Sequence, residues 1–317
     1  MKYLTLVKHH NCPQLAHLYE HMFVSTATEF LYQQDQYQLI DYSLNGHTYP
    51  NGTIIIKSAW YTVDATRLTN QIPTLPTDFG GIDNEPVSLA LYQLFAEESN
   101  QLYVADSGKM MHELHNLDAS PWQNIDTVKR LTSENTSDYG DIIYSTDHPA
   151  AITHKLELHF QLEQQYRRQR PETLPLFHEY ARFLNLSISQ KLCYQFGSYY
   201  NDDFVRYNCE EASITNSLHV STQAGPIQFT DIVNCVSATA RSLRSPGINQ
   251  RFADYLHNVS YNDSPLTAPD VDRLLSDLGI LLGGAGWRAI ATPDNINDVA
   301  QATEIIVKYG NQSEVIE

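Results

Sequence analysis

Basic residues are scarce in this sequence of 317 residues, in which 20 lysines and arginines face 37 aspartates and glutamates. The resulting net charge of −17 argues against nucleic acid as a partner, because phosphates require a basic surface. An acidic cavity would instead attract basic peptides. Acidic charge spread over the outside for solubility explains the same number, so charge alone does not identify a partner.

Long apolar runs are also missing. No stretch of eighteen apolar residues occurs, which argues against a membrane span. The segment 1–8 has the pattern of a short strand, and it lacks the long apolar region and the small-residue cleavage site of a signal peptide. We therefore expect a cytoplasmic protein with no membrane partner.

Cysteines are few and far apart. Cys12, Cys193, Cys209 and Cys235 form no C-x-x-C pair, so reduced thiols are the expected state. Cys12 lies close to two histidines and is an alternative metal ligand. An ordinary thiol in the loop before Pro13 is the simpler interpretation of the same residue.

Apolar periodicity in the first half predicts strands mixed with helices. A strand over 1–8 is followed by a helix over 14–32 and by strands over 40–47 and 53–62. The segment Tyr49-Pro50-Asn51-Gly52 separates these two strands and is a turn signal, because glycine and asparagine tolerate positive φ. Two further helices are predicted over 65–71 and 85–100.

The second half follows a similar order. Alternating apolar residues predict a half-buried strand over 152–162, and helical spacing runs from Leu174 to Leu184. Two strands are then predicted over 206–215 and 217–223. The remaining elements are predicted as helices over 229–243, 248–259 and 269–282, a strand over 287–291 and a helix over 296–309.

The shared order of strand, helix and two strands indicates two copies of one module. A chain of this length is also long enough for two domains with separate cores. The polar segment 105–150 places their boundary near 140–150. We therefore predict an α+β protein with an N-terminal module over 1–145 and a related C-terminal module over 146–317.

The most informative motif lies in the first predicted helix. His17 and His21 are four residues apart, so in a helix their side chains share one face and can grip one ion. Glu20 borders that face, where it can take a proton from a metal-bound water. The order H-x-x-E-H is the inverse of the common H-E-x-x-H metallopeptidase signature. A surface helix with solvated histidines is the alternative interpretation.

A catalytic zinc needs a third protein ligand and an open position for water. Glu97 in the helix over 85–100 fits this role, and 75 residues lie between His21 and Glu97. Glu98 is a neighbouring alternative, but adjacent helix positions point about 100° apart, so only one of the two should face the metal. The segment His112-Glu113-Leu114-His115 is a rival metal site. It lacks a histidine at the i+4 position, so a solvated helix face is the better interpretation.

Three segments together resemble the insulinase/pitrilysin family of zinc metallopeptidases, which includes the mitochondrial processing peptidases. The first is A-H-L-Y-E-H-M at 16–22, close to the family's A-H-x-L-E-H-M. The second is Glu97, which stands at the family's separation and follows an apolar pair like the family's V-L-x-E. The third is the segment 45–53, which keeps the N-x-x-T-x-x-x-x-T spacing of the family's N-A-Y-T strand.

The resemblance implies a zinc endopeptidase with the half-clamshell fold of this family, in which two modules of mainly antiparallel sheet are covered by helices. His17, His21 and Glu97 would bind Zn2+, and Glu20 would deprotonate the water. A strand of the first module would pair with an extended peptide substrate by β-addition. The residues implied for this pairing are Asn45, Gly46, His47 and Thr48.

Other positions depart from the family's pattern. The glycine usually found three residues before the first histidine is Gln14, and an acidic residue expected seven positions before the ligand glutamate is Ala90. In the second module the family has an arginine and a tyrosine near the substrate, and the resemblance keeps the tyrosine as Tyr194. The arginine position holds Ser187, so one stabiliser of a developing oxyanion is missing.

Members of the family close two such two-module halves around a chamber, so the resemblance implies a homodimer or a heterodimer with a related subunit. Two other functions remain open. One is a non-catalytic or helper subunit of a peptidase pair that binds peptide. The other is a different zinc hydrolase or lyase, such as the S-ribosylhomocysteine lyase type, which also uses H-x-x-E-H but adds a cysteine ligand.

Overall fold

The protein divides into two compact units, Met1–Ala151 and Ile152–Glu317. No helix within the described residues is both long enough and apolar enough to span a bilayer. The computed structural model describes residues 2–34, 36–61, 65–77, 79, 87, 90, 91, 94, 106–125, 152–196, 206–208, 212–222, 228–258, 279–280 and 284–316.

The first unit is built on an antiparallel sheet of four strands in the order β2-β3-β1-β4. A helix, α1, joins the central strand β1 to the edge of this sheet. The described elements are β1 (Lys2–His9), α1 (Pro13–Gln33), α2 (Gln38–Asp41), β2 (Tyr42–Thr48), β3 (Thr53–Trp60), α3 (Ala65–Gln71), α4 (Ser107–Ala119) and β4 (Gln123–Asn124).

The predicted turn between β2 and β3 is confirmed, and its geometry requires glycine at position 52. Gly52 has φ of 76°, and a side chain added there would put its Cβ 1.8 Å from the carbonyl oxygen of His10. The amide of His10 donates to the carbonyl of Gly52 over 3.0 Å. Gly52 therefore ties the hairpin to the loop that leads into α1, which brings β2 close to that helix.

Helix α1 lies against β2 and β3. Pro13 stands at its first turn, where the missing amide hydrogen has no helical partner to lose. Apolar side chains on one face of the helix are buried in the core of this unit, which fixes the rotation of the helix about its axis. The buried residues of α1 are Leu15, Ala16, Leu18, Tyr19, Glu20, Met22, Phe23, Ala27 and Leu31.

A buried lysine joins β1, α1 and α4. The Nζ of Lys8 donates to the hydroxyl of Tyr19 over 3.0 Å and to the carbonyls of Leu117 and Asp118 over 2.7 and 3.2 Å. It also lies 4.8 Å from the ring centroids of Tyr19 and Trp122. Burial lowers the pKa of Lys8 to about 8, and the carboxylate of Asp118 opposes this shift. The side chain is therefore still mostly charged at pH 7.

Replacing Lys8 by methionine is expected to lower the free energy of unfolding by roughly 2–4 kcal/mol, because two carbonyls lose a donor and Asp118 loses its cation. Urea unfolding at pH 7 measures this change. Lys57 is exposed on the neighbouring strand β3, and Lys57→Met is the matched control with an expected effect below about 0.5 kcal/mol. Equal effects of the two substitutions would contradict the structural role of Lys8.

The second unit has an antiparallel sheet of five strands in the order β6-β7-β5-β8-β9. Its described elements are β5 (Ile152–Leu162), α5 (Gln164–Gln169), α6 (Leu174–Phe196), β6 (Arg206–Asn208), β7 (Ser213–Thr222), α7 (Phe229–Leu243), α8 (Pro246–Asn258), α9 (Gly284–Ile290), α10 (Pro293–Ala302), β8 (Thr303–Tyr309) and β9 (Gln312–Ile316).

The two sheets share one topology. In each unit the first strand is flanked by the third strand on one side and by a later strand on the other, and the second strand lies beyond the third. The predicted fold class is thus confirmed as α+β with two related modules of antiparallel sheet covered by helices.

Two predicted elements near the end of the chain are wrong. Residues 287–290 belong to helix α9 and not to a strand, because an apolar run this short does not distinguish the two. The helix predicted over 296–309 ends at Ala302, and β8 follows. Thr303, Ile305 and Val307 alternate with less buried residues there, which is the spacing of a strand.

The break predicted at Asn216 is also wrong, because β7 runs through this position. Asn216 is buried, and its Nδ2 donates to Oδ1 of Asn185 over 3.0 Å and to Oγ of Ser189 over 3.4 Å. A polar residue here ties the strand to α6 and does not mark a turn. The helix predicted over 269–282 lies almost wholly outside the described residues.

The core of the second unit contains a buried histidine, His178 on α6. Burial lowers its pKa to about 4. An unfolded chain takes up the proton near pH 6.5, whereas the folded chain does so only near pH 4, so the unfolded state binds more protons between these values. The free energy of unfolding is therefore expected to fall as the pH drops through this window.

The expected loss between pH 6.5 and 4.5 is about 2–3 kcal/mol relative to His178→Gln, which keeps a polar side chain that does not titrate. Urea unfolding of both proteins across this range measures the difference. Parallel curves for the two proteins would show that His178 does not titrate differently on folding.

Candidate metal centre

Helix α1 brings the two histidines of the motif together. The Nε2 atoms of His17 and His21 lie 3.2 Å apart, and the two rings are separated by 4.9 Å between centroids with an angle of 36°. Both side chains are half-buried. The core contacts of Leu18, Met22 and their neighbours leave these two imidazoles on the flank of the helix.

The separation of the two nitrogens suits a shared zinc ion. Two nitrogens bound to one zinc at 2.0–2.1 Å with tetrahedral geometry lie about 3.3 Å apart, close to the 3.2 Å between His17 and His21. Without a metal the same distance allows a hydrogen bond in which one neutral imidazole donates to the other. The pair therefore fits the donor chemistry and the spacing of two zinc ligands.

Glu20 is buried beside this pair, with 7% of its surface exposed. Its Oε2 lies 4.0 Å from Nε2 of His17 and accepts a hydrogen bond from Oγ1 of Thr48 over 3.0 Å. The carboxylate is therefore close to the imidazoles, but its hydrogen bond comes from Thr48 on strand β2 of the sheet. This geometry suits a proton acceptor next to a metal better than a third ligand in contact with it.

Strand β2 presents two different faces at the segment predicted to bind substrate. Gly46 and Thr48 lie on the face next to Glu20, whereas Asn45 and His47 are exposed. The ring of His47 meets that of Tyr49 edge-on, with 4.6 Å between centroids. β2 is an edge strand, with no neighbour on its outer side among the described strands.

The position of the predicted third ligand is outside the described residues. Glu97 and Glu98 both lie there, so the structure describes two of the three predicted metal ligands. In the part of the chain that the structure describes, no group of three His, Cys, Asp or Glu side chains is arranged so that it could hold a metal ion. Tyr194 lies in α6, but its side chain is likewise outside the description.

Two positions that depart from the family's pattern are buried. Ala90 is helical, is only 4% exposed and belongs to the core of the first unit. Ser187 is buried in α6 of the second unit. An acidic residue at 90 would therefore be placed in apolar surroundings in this chain.

The alternative metal ligands fall elsewhere. The thiol of Cys12 is buried and lies 3.6 Å from Oε1 of Gln14. The backbone amide of Cys12 donates a hydrogen bond to Nδ1 of His10 over 3.1 Å. In α4, His112 and His115 are exposed, as expected for a solvated helix face. Glu113 instead faces His10, and its Oε2 lies 3.6 Å from Nε2 of His10.

No protein-family model matches this chain, and no curated protein matches it either. Several solved structures resemble it over almost its whole length. One is a mutant of the ferredoxin protease FusC in complex with Arabidopsis ferredoxin, at 10% identity and a TM-score of 0.33, with 96% of this chain and 42% of that protein covered.

The periplasmic protease PqqL from Escherichia coli matches at 12% identity and a TM-score of 0.30, covering 99% of this chain and 43% of that one. An inactive M16 peptidase domain from Pseudomonas fluorescens matches at 11% identity and 0.32, covering 96% and 92%. The chain thus spans less than half the length of FusC and of PqqL. These neighbours are peptidases and a peptidase-derived domain, and likeness at this level carries no information on activity here.

Proposed function

We propose that this protein is a zinc-dependent endopeptidase that cleaves peptides or small unfolded polypeptides. The observation that supports it best is the 3.2 Å separation of the two Nε2 atoms of His17 and His21, with the carboxylate of Glu20 at 4.0 Å. Two imidazoles and one carboxylate at these distances supply two metal ligands and a proton acceptor.

Zinc bound here would polarise the scissile carbonyl and lower the pKa of a water in its open position. The carboxylate of Glu20 would accept a proton from the attacking water and later deliver it to the leaving amine. Edge strand β2 would pair with the extended peptide, because its outer backbone groups face no described strand. Tyr194 is proposed as a further catalytic residue.

Glu97 is the proposed third ligand. Val87, Ala90 and Leu94 are helical and buried, and position 97 continues their spacing by three residues. Glu97→Gln is expected to weaken zinc binding by more than tenfold, whereas its matched control Glu98→Gln leaves it nearly unchanged. A competitive zinc titration measures both, and the opposite order would assign the third ligand to Glu98.

The proposal includes a partner. Peptide substrate would be enclosed between two such two-unit chains, so a homodimer or a pair with a related subunit is expected, with the metal carried by the first unit only. The proposed location is the cytoplasm, where widely spaced cysteines are expected to stay reduced.

A helper subunit that binds peptide without cleaving it is the second candidate. Ala90 favours this helper function. A buried alanine stands where the resemblance implies an acidic residue, so no carboxylate at this position orients a metal ligand. Purified protein loaded with zinc and mixed with internally quenched decapeptides of varied sequence separates the two functions. Cleavage that stops with a chelator and returns with zinc supports the peptidase, whereas peptide binding without cleavage supports the helper.

A further inference from the structure

We infer that Gly46 and Thr48 are positioning residues that hold the carboxylate of Glu20 from the sheet side, an inference that rests on the proposed peptidase function. Thr48 donates its hydroxyl hydrogen to Oε2 of Glu20 over 3.0 Å. The threonine stands 28 residues after the glutamate and on another element. Edge strand β2 therefore contributes directly to the orientation of the proposed base on α1.

Gly46 leaves the space in which the other carboxylate oxygen lies. A Cβ added at Gly46 would lie 2.0 Å from Oε1, 2.6 Å from Cδ and 2.8 Å from Cγ of Glu20. Among the described glycines, positive φ occurs at Gly52, Gly279 and Gly310, so the backbone at 46 does not itself demand glycine. What this position demands is space, and the carboxyl group of Glu20 fills it.

Thr48 thus holds one carboxylate oxygen through a hydrogen bond, and Gly46 leaves the space that the other occupies. A glutamate side chain has several rotamers. A side chain that is fixed in one of them is already in the reactive orientation when the substrate binds. Neither Gly46 nor Thr48 has a described contact with an imidazole, so their loss should change catalysis and leave zinc affinity unchanged. Because Gly46 and Thr48 lie on the face of β2 next to Glu20 and not on its exposed face, turnover should change more than peptide affinity.

Thr48→Val removes the hydroxyl while keeping the shape of the side chain. We expect kcat on the best-cleaved decapeptide to fall by roughly ten- to a hundredfold, the effect of a lost hydrogen bond to a charged group, with KM within about twofold. Thr48→Ser retains the hydroxyl and should restore most of the rate. Thr5→Val on β1 is the matched control, because Thr5 is half-buried like Thr48 but lies on a strand separated from β2 by β3.

Gly46→Ala tests whether the carboxyl group of Glu20 depends on the space that the glycine leaves. The added methyl meets the flexible end of Glu20, so the carboxylate should move aside while the fold and Tm are retained. Gly108→Ala on α4 is the control, since its nearest described atom, Oδ1 of Asp106, lies 3.5 Å from the new Cβ. Crystal structures of metal-free wild type and Gly46→Ala show the position of the carboxylate without any need for turnover.

A double variant decides whether Thr48 acts through Glu20. In a Glu20→Gln background, Thr48→Val should cause no further loss of kcat, because no base remains to be oriented. An equal loss in both backgrounds, or a raised KM with unchanged kcat, would overturn the inference. If wild type cleaves none of the peptides, the proposed function fails; the inference fails separately if the carboxylate stays in place in Gly46→Ala.

Discussion

Glu20→Gln is expected to lower peptide cleavage by roughly 10² or more while zinc stays bound. Glutamine keeps the size of the side chain and can still accept a hydrogen bond from Thr48, but it does not take up a proton at neutral pH. General-base catalysis contributes this order of magnitude in enzymes that use it. Steady-state kinetics on the decapeptides, together with the zinc content of the same samples, measure both expectations.

Glu29→Gln supplies the matched control for this substitution. Glu29 lies on the same helix, is exposed and accepts a hydrogen bond from Gln33 over 3.2 Å. Its replacement should leave the rate within about twofold, since surface changes have small effects. Wild-type cleavage by Glu20→Gln would mean that another residue accepts the proton.

Zinc content should fall from about one ion per chain to almost none when either His17 or His21 is replaced by alanine. The reason is that a site left with two protein ligands does not close around the metal, and affinity should drop by a factor on the order of 10² or more. Elemental analysis after dialysis and a competitive titration measure the loss.

His112→Ala is the control for the histidine variants, because His112 is exposed on α4, away from the candidate ligands in sequence. It should retain full zinc. Undiminished zinc in both His17→Ala and His21→Ala would remove the metal centre from this helix, and the proposed mechanism with it.

Local patterns were sufficient to predict that His17 and His21 share one face of a helix. The i and i+4 spacing of His17 and His21 depends on one helix alone. The turn at 49–52 was predictable for the same reason, because its signal is carried by consecutive residues.

Contacts between distant elements were not predictable from these patterns. The hydrogen bond from Thr48 to Glu20 depends on the pairing of β2 with β3 and on the position of α1 against both. The substrate-binding prediction treated Asn45–Thr48 as one unit, whereas the pleat of the strand divides it into two faces. In the sequence, the signal that one face of β2 lies next to Glu20 is that a glycine, the smallest residue, stands at position 46.

The errors near the C-terminus have a related cause. Residues 303–309 read Thr-Glu-Ile-Ile-Val-Lys-Tyr, and their β-branched side chains favour a strand. Joined to the helical pattern before them, they were predicted as one helix. The true boundary follows Ala302, where the chain enters the sheet beside β5.

A crystal of the protein soaked in zinc and measured at the zinc absorption edge tests the central claim most directly. The proposal predicts one strong anomalous peak within about 2.0–2.1 Å of Nε2 of both His17 and His21. It also predicts that Glu20 remains hydrogen-bonded to Thr48 and outside the coordination sphere. A peak at other residues, or no peak near these two imidazoles, would contradict the assignment of this helix as a metal centre.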